Sequence, residues 1–208
     1  MTEKKGILFD MDGTLLDSQE EVAMKKIFHA FSKEDQQLIQ HLLQQNVNSY
    51  ADFERLLAKR VPEQKANTIS KTIETVLSHH YKDVVPIPHA KEFLDYAKAK
   101  NYRLCLCTNN ATKLVSTILE DLQWTSYFDV ILTSDDVVNG KPDPQMYLEA
   151  MHRIHLKPEE CIIFEDSLVG VQAAKNANMD CVLVNKEKIC ACNYHIQDYQ
   201  DPDLYKHL

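Results

Sequence analysis

The chain has 208 residues, of which 44% are hydrophobic and 26% are charged, and its formal net charge is −8 at pH 7. A chain of this length can bury one substantial core, alone or with a small inserted domain. The acidic balance argues against a nucleic acid or an anionic membrane as the main partner, because both carry negative charge. No apolar stretch is long enough to span a bilayer, and residues 1–5 lead directly into a core strand, so we expect no signal peptide.

Five short apolar runs predict buried parallel strands. They lie at residues 6–10, 103–107, 128–132, 161–165 and 181–184. Helical patterns separate the later runs, at residues 90–99, 114–122, 144–155 and 169–177. Strands that alternate with helices indicate βαβ units, so the expected fold class is α/β, with a Rossmann-like, doubly wound parallel sheet. Residues 195–199 and 202–208 are expected to add an edge strand and a closing helix.

The interval from residue 18 to residue 85 differs, because it has helical periodicity and no convincing strand. Four sets of apolar residues recur there at the spacing of one helical face. The sets are Met24, Ile27, Phe28 and Phe31; Leu38, Ile39, Leu42 and Leu43; Phe53, Leu56 and Leu57; and Ile69, Ile73, Val76 and Leu77. Ser49 and Asp52 form a capping pair before the third set. We expect a bundle of four short helices at residues 18–85, inserted into an α/β domain made of residues 1–17 and 86–208.

The first predicted strand ends in two carboxylates, Asp10 and Asp12. Residues two apart in a strand project to the same side. One carboxylate can then act as a nucleophile while the other transfers a proton, and the pair can also hold a hard cation. An isolated Asp-x-Asp pair is common and is usually a solvated turn, so this interpretation depends on further motifs.

Three further segments complete a recognisable set. They are Cys105-Leu106-Cys107-Thr108-Asn109-Asn110, Asn139-Gly140-Lys141-Pro142-Asp143-Pro144 and Ile162-Ile163-Phe164-Glu165-Asp166-Ser167. With the first motif they resemble, in order, the four signature motifs of the haloacid dehalogenase (HAD) superfamily. The likeness is closest to the branch of β-phosphoglucomutase-like and phosphoglycolate-phosphatase-like enzymes, and it covers residues 6–18 and 87–184. It implies a HAD-like core domain, with residues 18–85 as a helical cap over the active site.

The resemblance implies chemistry for the matching carboxylates. Asp10 is the expected nucleophile, which forms an aspartyl-phosphate, and Asp12 is the expected acid and base. Mg²⁺ is the expected cofactor, because a phosphate beside two carboxylates needs neutralisation. Its expected ligands are Asp10, the backbone carbonyl of Asp12, and Asp166, with Glu165 either a ligand or a residue that orients one.

The remaining motif residues are expected to bind the phosphoryl group. Lys141 supplies a fixed cation for both catalysis and phosphate binding. Thr108 offers a hydroxyl group and Asn109 a backbone N–H, near the start of a helix. Gly13 matches the tight turn after the first strand.

The sequence favours a hydrolase that acts on a small phosphomonoester such as a sugar phosphate or phosphoglycolate. A sugar-phosphate mutase is the alternative, but mutases of this branch carry a cap histidine twelve residues after the nucleophile, where this chain has Val22. His29 is interpreted as an ordinary helix residue. A dehalogenase would not need Asp12, because a halide leaves without a proton. A non-catalytic protein on the same scaffold is disfavoured by the intact motifs.

Partners and location follow from the same features. We expect a small phosphorylated metabolite as partner, no nucleic acid or membrane, and a monomer or weak dimer. Cysteines within or beside predicted core strands indicate buried reduced thiols and a cytoplasmic protein; these are Cys105, Cys107, Cys161 and Cys181. The sequence leaves open which basic residue of the cap reaches the substrate; the candidates are Lys25, Arg55, Arg60, His79 and His80.

Overall fold

The computed structural model describes residues 3–45, 47, 49–190, 192–202 and 204–208. The strands are β1 Gly6–Phe9, β2 Leu16–Asp17, β3 Val85–Pro86, β4 Arg103–Cys107, β5 Val130–Leu132, β6 Cys161–Glu165, β7 Asp180–Val184 and β8 Tyr194–Ile196. The α-helices are α1 Glu20–His29, α2 Lys33–Leu43, α3 Tyr50–Arg60, α4 Glu63–Tyr81, α5 Ala90–Ala99, α6 Thr112–Asp121, α7 Gln145–Arg153 and α8 Leu168–Asn176. No helix in the described part of the chain is both long and apolar enough to cross a membrane.

Six strands form one parallel sheet in the order β5-β4-β1-β6-β7-β8. After the central strand β1, the chain adds β4 and β5 on one side and then β6, β7 and β8 on the other. The direction of strand order therefore reverses beside β1, and ligand sites of open α/β sheets lie at such a point, at the carboxyl ends of the strands. Phe9 pairs with both Leu106 and Phe164, so the carboxyl ends of β1, β4 and β6 lie side by side at one edge of the sheet.

The sheet is buried on both faces because its side chains alternate between two apolar clusters. Ile7 and Phe9 belong to the cluster that contains residues of α5 and α6, whereas Leu8 belongs to the cluster with residues of α7 and α8. The four cysteines of the predicted strands are buried and free. The predicted α/β class with a doubly wound parallel sheet is thus confirmed.

The four helices α1 to α4 follow β2 and return to the sheet through β3, with which β2 forms a short antiparallel ladder. Their apolar faces share one cluster, in which Leu42 and Leu57 are fully buried. Ser49 caps α3, because its hydroxyl oxygen accepts a hydrogen bond from the Asp52 N–H. The inserted helical bundle is therefore present, but α4 is 19 residues long and was wrongly expected to be short.

Several predicted boundaries were wrong. The strand expected at 128–132 begins only at Val130, because Thr125–Tyr127 form a 3-10 turn that ends at Phe128. The helix expected at 144–155 ends at Arg153, and His155 adopts a left-handed conformation with φ 57°. The helix expected at 114–122 already begins at Thr112.

The carboxyl-terminal elements also differ from the prediction. The edge strand expected at 195–199 is the shorter β8, which pairs with β7. Residue 203 lies outside the described residues. In place of the closing helix expected at 202–208, Leu204–His207 form a 3-10 turn, with Leu204 fully buried. A 3-10 turn is typical of so short a segment, because the geometry of its hydrogen bonds does not favour longer runs.

The cap bundle yields a stability prediction. Leu57→Ala should lower the free energy of unfolding by about 2–5 kcal/mol, because it leaves a cavity among fully buried neighbours. Lys59→Ala, at an exposed position of the same helix, is the control and should change stability by less than about 0.5 kcal/mol. Urea unfolding followed by circular dichroism measures both variants. Equal stability of the two variants would contradict the packing of the bundle.

Candidate active site

The residues that follow the central strands meet in one crevice at the carboxyl edge of the sheet. Asp10 and Asp12 follow β1, Thr108 follows β4, and Asp166 follows β6. Lys141 reaches them from the loop before α7. All seven residues predicted for the site line one cavity of about 490 Å³; they are Asp10, Asp12, Thr108, Asn109, Lys141, Glu165 and Asp166.

Lys141 lies at the centre of this crevice. Its Nζ atom donates to Asp10 Oδ1 and to Glu165 Oε1, both at 2.6 Å, and lies 5.0 Å from the centre of the Tyr147 ring. Only 3% of the residue is exposed. Burial alone would lower the pKa of Lys141, but attraction to the Asp10 and Glu165 carboxylates raises it above its ordinary value. The side chain is therefore a fixed positive charge in contact with the expected nucleophile.

Both oxygen atoms of the Glu165 carboxylate accept hydrogen bonds from neighbouring side chains. Oε1 accepts a second hydrogen bond from the Tyr147 hydroxyl at 2.6 Å, and Oε2 accepts one from the Ser167 hydroxyl at 3.2 Å. The carboxylate lies so close to Gly170 that an added Cβ there would be 1.8 Å from its carboxyl carbon. These contacts favour Glu165 as the residue that positions Lys141. The sequence pattern did not reveal Tyr147 or Gly170, because neither belongs to a strand-end motif.

Three carboxylates in the crevice form a candidate cation site. Oxygen atoms of Asp10, Glu165 and Asp166 all lie within 4.8 Å of one another. Burial raises the pKa of Asp10 well above its ordinary value; Lys141 opposes that rise, and Glu165 and Asp166 add to it. The pKa of Asp166 is raised to about 7, mainly by burial and to a smaller extent by repulsion from Glu165 and Glu20.

This charge balance fits a hard divalent cation. One lysine faces three carboxylates, so the buried crevice keeps an excess of negative charge. All the candidate ligands are oxygen atoms, which Mg²⁺ and Ca²⁺ prefer. Asp10 and Asp166 are better placed to hold the ion than Glu165, whose oxygens already accept hydrogen bonds. Gly13, with φ 73°, makes room for Asp166, because an added Cβ would lie 2.0 Å from Asp166 Oδ2.

Asp12 faces a separate set of partners. The Tyr81 hydroxyl donates to Asp12 Oδ1, and the Asn110 amide donates to Asp12 Oδ2 at 2.5 Å. Burial raises the pKa of Asp12, and the hydrogen bonds from Tyr81 and Asn110 oppose that rise. Tyr81 is the last residue of α4, so a residue of the inserted bundle holds a carboxylate of the core. Tyr81 was missed because its helical position gave no sign of a role outside the bundle.

The segment after β4 connects the crevice to the bundle. The buried Thr108 hydroxyl oxygen accepts a hydrogen bond from the Asn110 N–H at 3.2 Å. Asn109 Oδ1 accepts one from the Lys141 backbone N–H at 3.2 Å, and the Asn109 carbonyl accepts one from the Tyr50 N–H at 3.3 Å. Thr108 and Asn109, the residues expected to bind phosphate, therefore line the same cavity as Asp10.

The basic residues considered for specificity lie elsewhere. None of Lys25, Arg55, Arg60, His79 or His80 lines the cavity in the part of the chain that the structure describes. His80 is buried, and its Nε2 lies 2.6 Å from the Ser18 carbonyl oxygen. Val22 and His29 are also exposed residues that do not line the cavity.

Comparison with known proteins agrees with this geometry. A family model described as haloacid dehalogenase-like hydrolase matches residues 7–184. The phosphorylated carbohydrates phosphatase of Thermotoga maritima is 29% identical over 194 residues, which cover 85% of this chain and 82% of the relative. Protein CbbY of Rhodobacter capsulatus is also 29% identical, with 97% of this chain and 94% of the relative covered.

A solved structure shares the fold. CbbY from Rhodobacter sphaeroides, in complex with phosphate, superposes with a TM-score of 0.76 at 20% identity, covering 95% of this chain and 96% of that one. The family model spans most of the chain and includes every residue of the crevice. This chain belongs to the haloacid dehalogenase-like hydrolases.

Proposed function

We propose that the protein is a Mg²⁺-dependent phosphatase that hydrolyses a small phosphomonoester through an aspartyl-phosphate on Asp10. The observation that carries this proposal is the buried contact of Asp10 with Lys141, with Asp166 beside it and with Asp12 held by Tyr81. The relatives named phosphorylated carbohydrates phosphatase, phosphoglycolate phosphatase and fructose-1-phosphate phosphatase support phosphoric monoester hydrolysis. These names make sugar phosphates and phosphoglycolate the first metabolites to assay.

The first chemical step is assigned to Asp10 and Asp12. A carboxylate oxygen of Asp10 attacks phosphorus while Lys141 offsets charge on the nucleophile and the phosphoryl group. Protonated Asp12 gives its proton to the leaving alkoxide, and burial favours this protonated form by raising the pKa of Asp12. Thr108 and Asn109 are proposed to hold phosphoryl oxygens, with Lys141 as the third group.

The second step is hydrolysis of the acyl phosphate. Asp12 is now ionised and removes a proton from water as the water attacks phosphorus, which restores Asp10 and releases phosphate. Tyr81 and Asn110 both donate to Asp12, so they favour its ionised form and fix its orientation in this step. When bound by Asp10, Asp166 and the backbone carbonyl of Asp12, Mg²⁺ would supply positive charge against the carboxylates and the substrate phosphate.

We further propose that residues 18–85 form a cap domain and that residues 1–17 and 86–208 form the core domain. The ladder between β2 and β3 joins the two at the point where the chain leaves and re-enters the core, and it is the proposed hinge. Contacts of Tyr81 with Asp12 and of Tyr50 with Asn109 support a cap that covers the crevice. A covered site keeps bulk water from the nucleophile.

The mutase alternative has less support. Mutases of this branch carry a cap histidine at the position of Val22, and valine has no titratable group. No histidine lines the cavity among the residues that the structure describes. A purely binding protein has less support as well, because the Lys141, Asp10 and Asp12 contacts match each requirement of the reaction.

Asp10→Asn should abolish turnover of p-nitrophenyl phosphate, because an amide cannot replace the carboxylate as nucleophile. The exposed Asp121→Asn, which makes the same chemical change on α6, should leave turnover unchanged.

Wild-type activity should also disappear after chelation and return with added Mg²⁺. The measurement is phosphate release, and a fully active metal-free enzyme would rule out the assigned mechanism.

Asp12→Ala should reduce turnover of an alkyl phosphate by about 10²–10⁴-fold, the usual contribution of general acid–base catalysis. The first step with p-nitrophenyl phosphate should be less affected, because nitrophenolate leaves without a proton. Aspartyl-phosphate should then accumulate on Asp10, since its hydrolysis still needs the base, and rapid acid quench with mass analysis detects it. Equal losses for both substrates with no label on Asp10 would exclude Asp12 from this role.

Tyr81→Phe should raise the pKa of Asp12, because it removes a donor to the ionised carboxylate. The basic limb of kcat/KM for an alkyl phosphate should move to higher pH, and kcat should fall about tenfold, as for loss of one hydrogen bond to a charged group. Tyr205→Phe, at a position exposed to solvent, is the matched control. An unchanged pH profile in Tyr81→Phe would show that the hydroxyl group does not act on Asp12.

A further inference from the structure

The cavity has two ends of opposite character. Its core end carries the polar and charged groups around Asp10 and Lys141. Its cap end is lined by apolar side chains from all four helices of the bundle and from the segment between α2 and α3. They are Met24, Ile27, Ile39, Leu43, Val47, Phe53, Ile73 and Leu77. A phosphate held at Asp10 would therefore direct its ester group toward an apolar wall.

The cap end offers no positive charge to the substrate. Lys141 is the only lysine, arginine or histidine that lines the cavity within the described ranges, and it already contacts two carboxylates. Among the described residues, Glu20 is the one charged side chain that the cap contributes to the lining, and it is acidic. A carboxylate or a second phosphate on the ester group would be removed from water without a counter-charge, which is unfavourable.

Three hydroxyl groups that line the cavity from the cap already have partners, and Ser18 and the Glu20 carboxylate line it as well. The Tyr50 hydroxyl donates to the Ser70 carbonyl oxygen at 3.3 Å, and the Tyr81 hydroxyl donates to Asp12. The Ser49 hydroxyl oxygen accepts the capping hydrogen bond from the Asp52 N–H at 3.1 Å. A sugar would bring several hydroxyl groups into this region, and each one left without a partner would weaken binding.

We infer that the substrate is the phosphate monoester of an uncharged, mainly apolar alcohol, of the alkyl or aryl class. This inference rests on the proposed function, because it concerns the leaving group of the same reaction. Burial of the alcohol against the apolar wall supplies the binding energy, while the groups around Lys141 hold the phosphate. Each additional methylene should raise kcat/KM about fourfold until the cavity is full.

The test compares substrates of matched size. Propyl phosphate and phosphoglycolate are similar in size, but phosphoglycolate ends in a carboxylate where propyl phosphate ends in an ethyl group. Steady-state kcat/KM is measured for this pair and for ethyl, butyl, hexyl and octyl phosphate, with Mg²⁺ present. We expect propyl phosphate to be favoured by at least about tenfold, as for an unpaired charge in an apolar pocket, and kcat/KM to rise along the alkyl series.

A charge-insertion variant tests the position of the apolar wall. Leu43 ends α2, lines the cavity and is 38% exposed, so a lysine fits there without burial of its ammonium group. Leu43→Lys should shift the preference toward phosphoglycolate by about tenfold. Gln40→Lys makes a similar change on the same helix at an exposed residue that does not line the cavity, and it should leave the preference unchanged.

The outcomes separate the two proposals. The inference of an apolar leaving group would be wrong if the enzyme favoured phosphoglycolate or a sugar phosphate over propyl phosphate, or if kcat/KM did not depend on alkyl length. Either result would still be consistent with the proposed phosphatase activity. No release of phosphate from any of these esters, nor from p-nitrophenyl phosphate, would overturn the phosphatase itself. An equal shift in Leu43→Lys and Gln40→Lys would show that the apolar wall does not contact the leaving group.

Discussion

The buried contact of Lys141 with Asp10 and Glu165 organises the site, because it joins three segments that are distant in the chain. Each carboxylate comes from the end of a different central strand, and the lysine comes from a loop. An unpaired lysine or carboxylate at this depth would be strongly unfavourable, so the arrangement holds only if all three are present. Gly170 then becomes necessary for a local reason, since any side chain there would collide with the Glu165 carboxylate.

A second set of contacts joins the bundle to the core. Tyr81 contacts Asp12, Tyr50 contacts Asn109, and Lys113 of α6 forms an ion pair of 2.6 Å with Glu74 of α4. The Lys113–Glu74 pair is exposed and contributes little to stability. The Tyr81 contact is different in kind, because it reaches a carboxylate of the site itself. Movement of α4 would therefore change the surroundings of Asp12, so one side chain would link the position of the bundle to the proton transfer proposed for Asp12.

The fold and the charged part of the site were predictable because both depend on local patterns. Buried parallel strands leave continuous apolar runs, and strand ends must meet at one edge of the sheet, so the strand pattern brings Asp10 and Asp166 together. Lys141 lies in a loop, and its place in the site was expected from the resemblance to the HAD motifs. Tyr147, Tyr81 and Gly170 could not be predicted, because their roles arise from contacts between elements remote in sequence. The question of which basic residue of the cap reaches the site stayed open for the same reason: periodicity identifies the apolar face of each helix but not the residues that line the cavity beside it.

The apolar residues that line the cavity also hold the bundle together, and this limits which substitutions they tolerate. Ile27, Ile39, Phe53 and Ile73 line the cavity and also belong to the apolar cluster that holds the bundle together. A polar replacement at any of them would alter the leaving-group pocket and destabilise the cap at the same time. Leu43 lines the cavity but does not belong to that cluster and is 38% exposed, so its replacement costs less stability. Change of substrate preference is therefore easiest at the edge of the bundle, where a new charge can remain in contact with water.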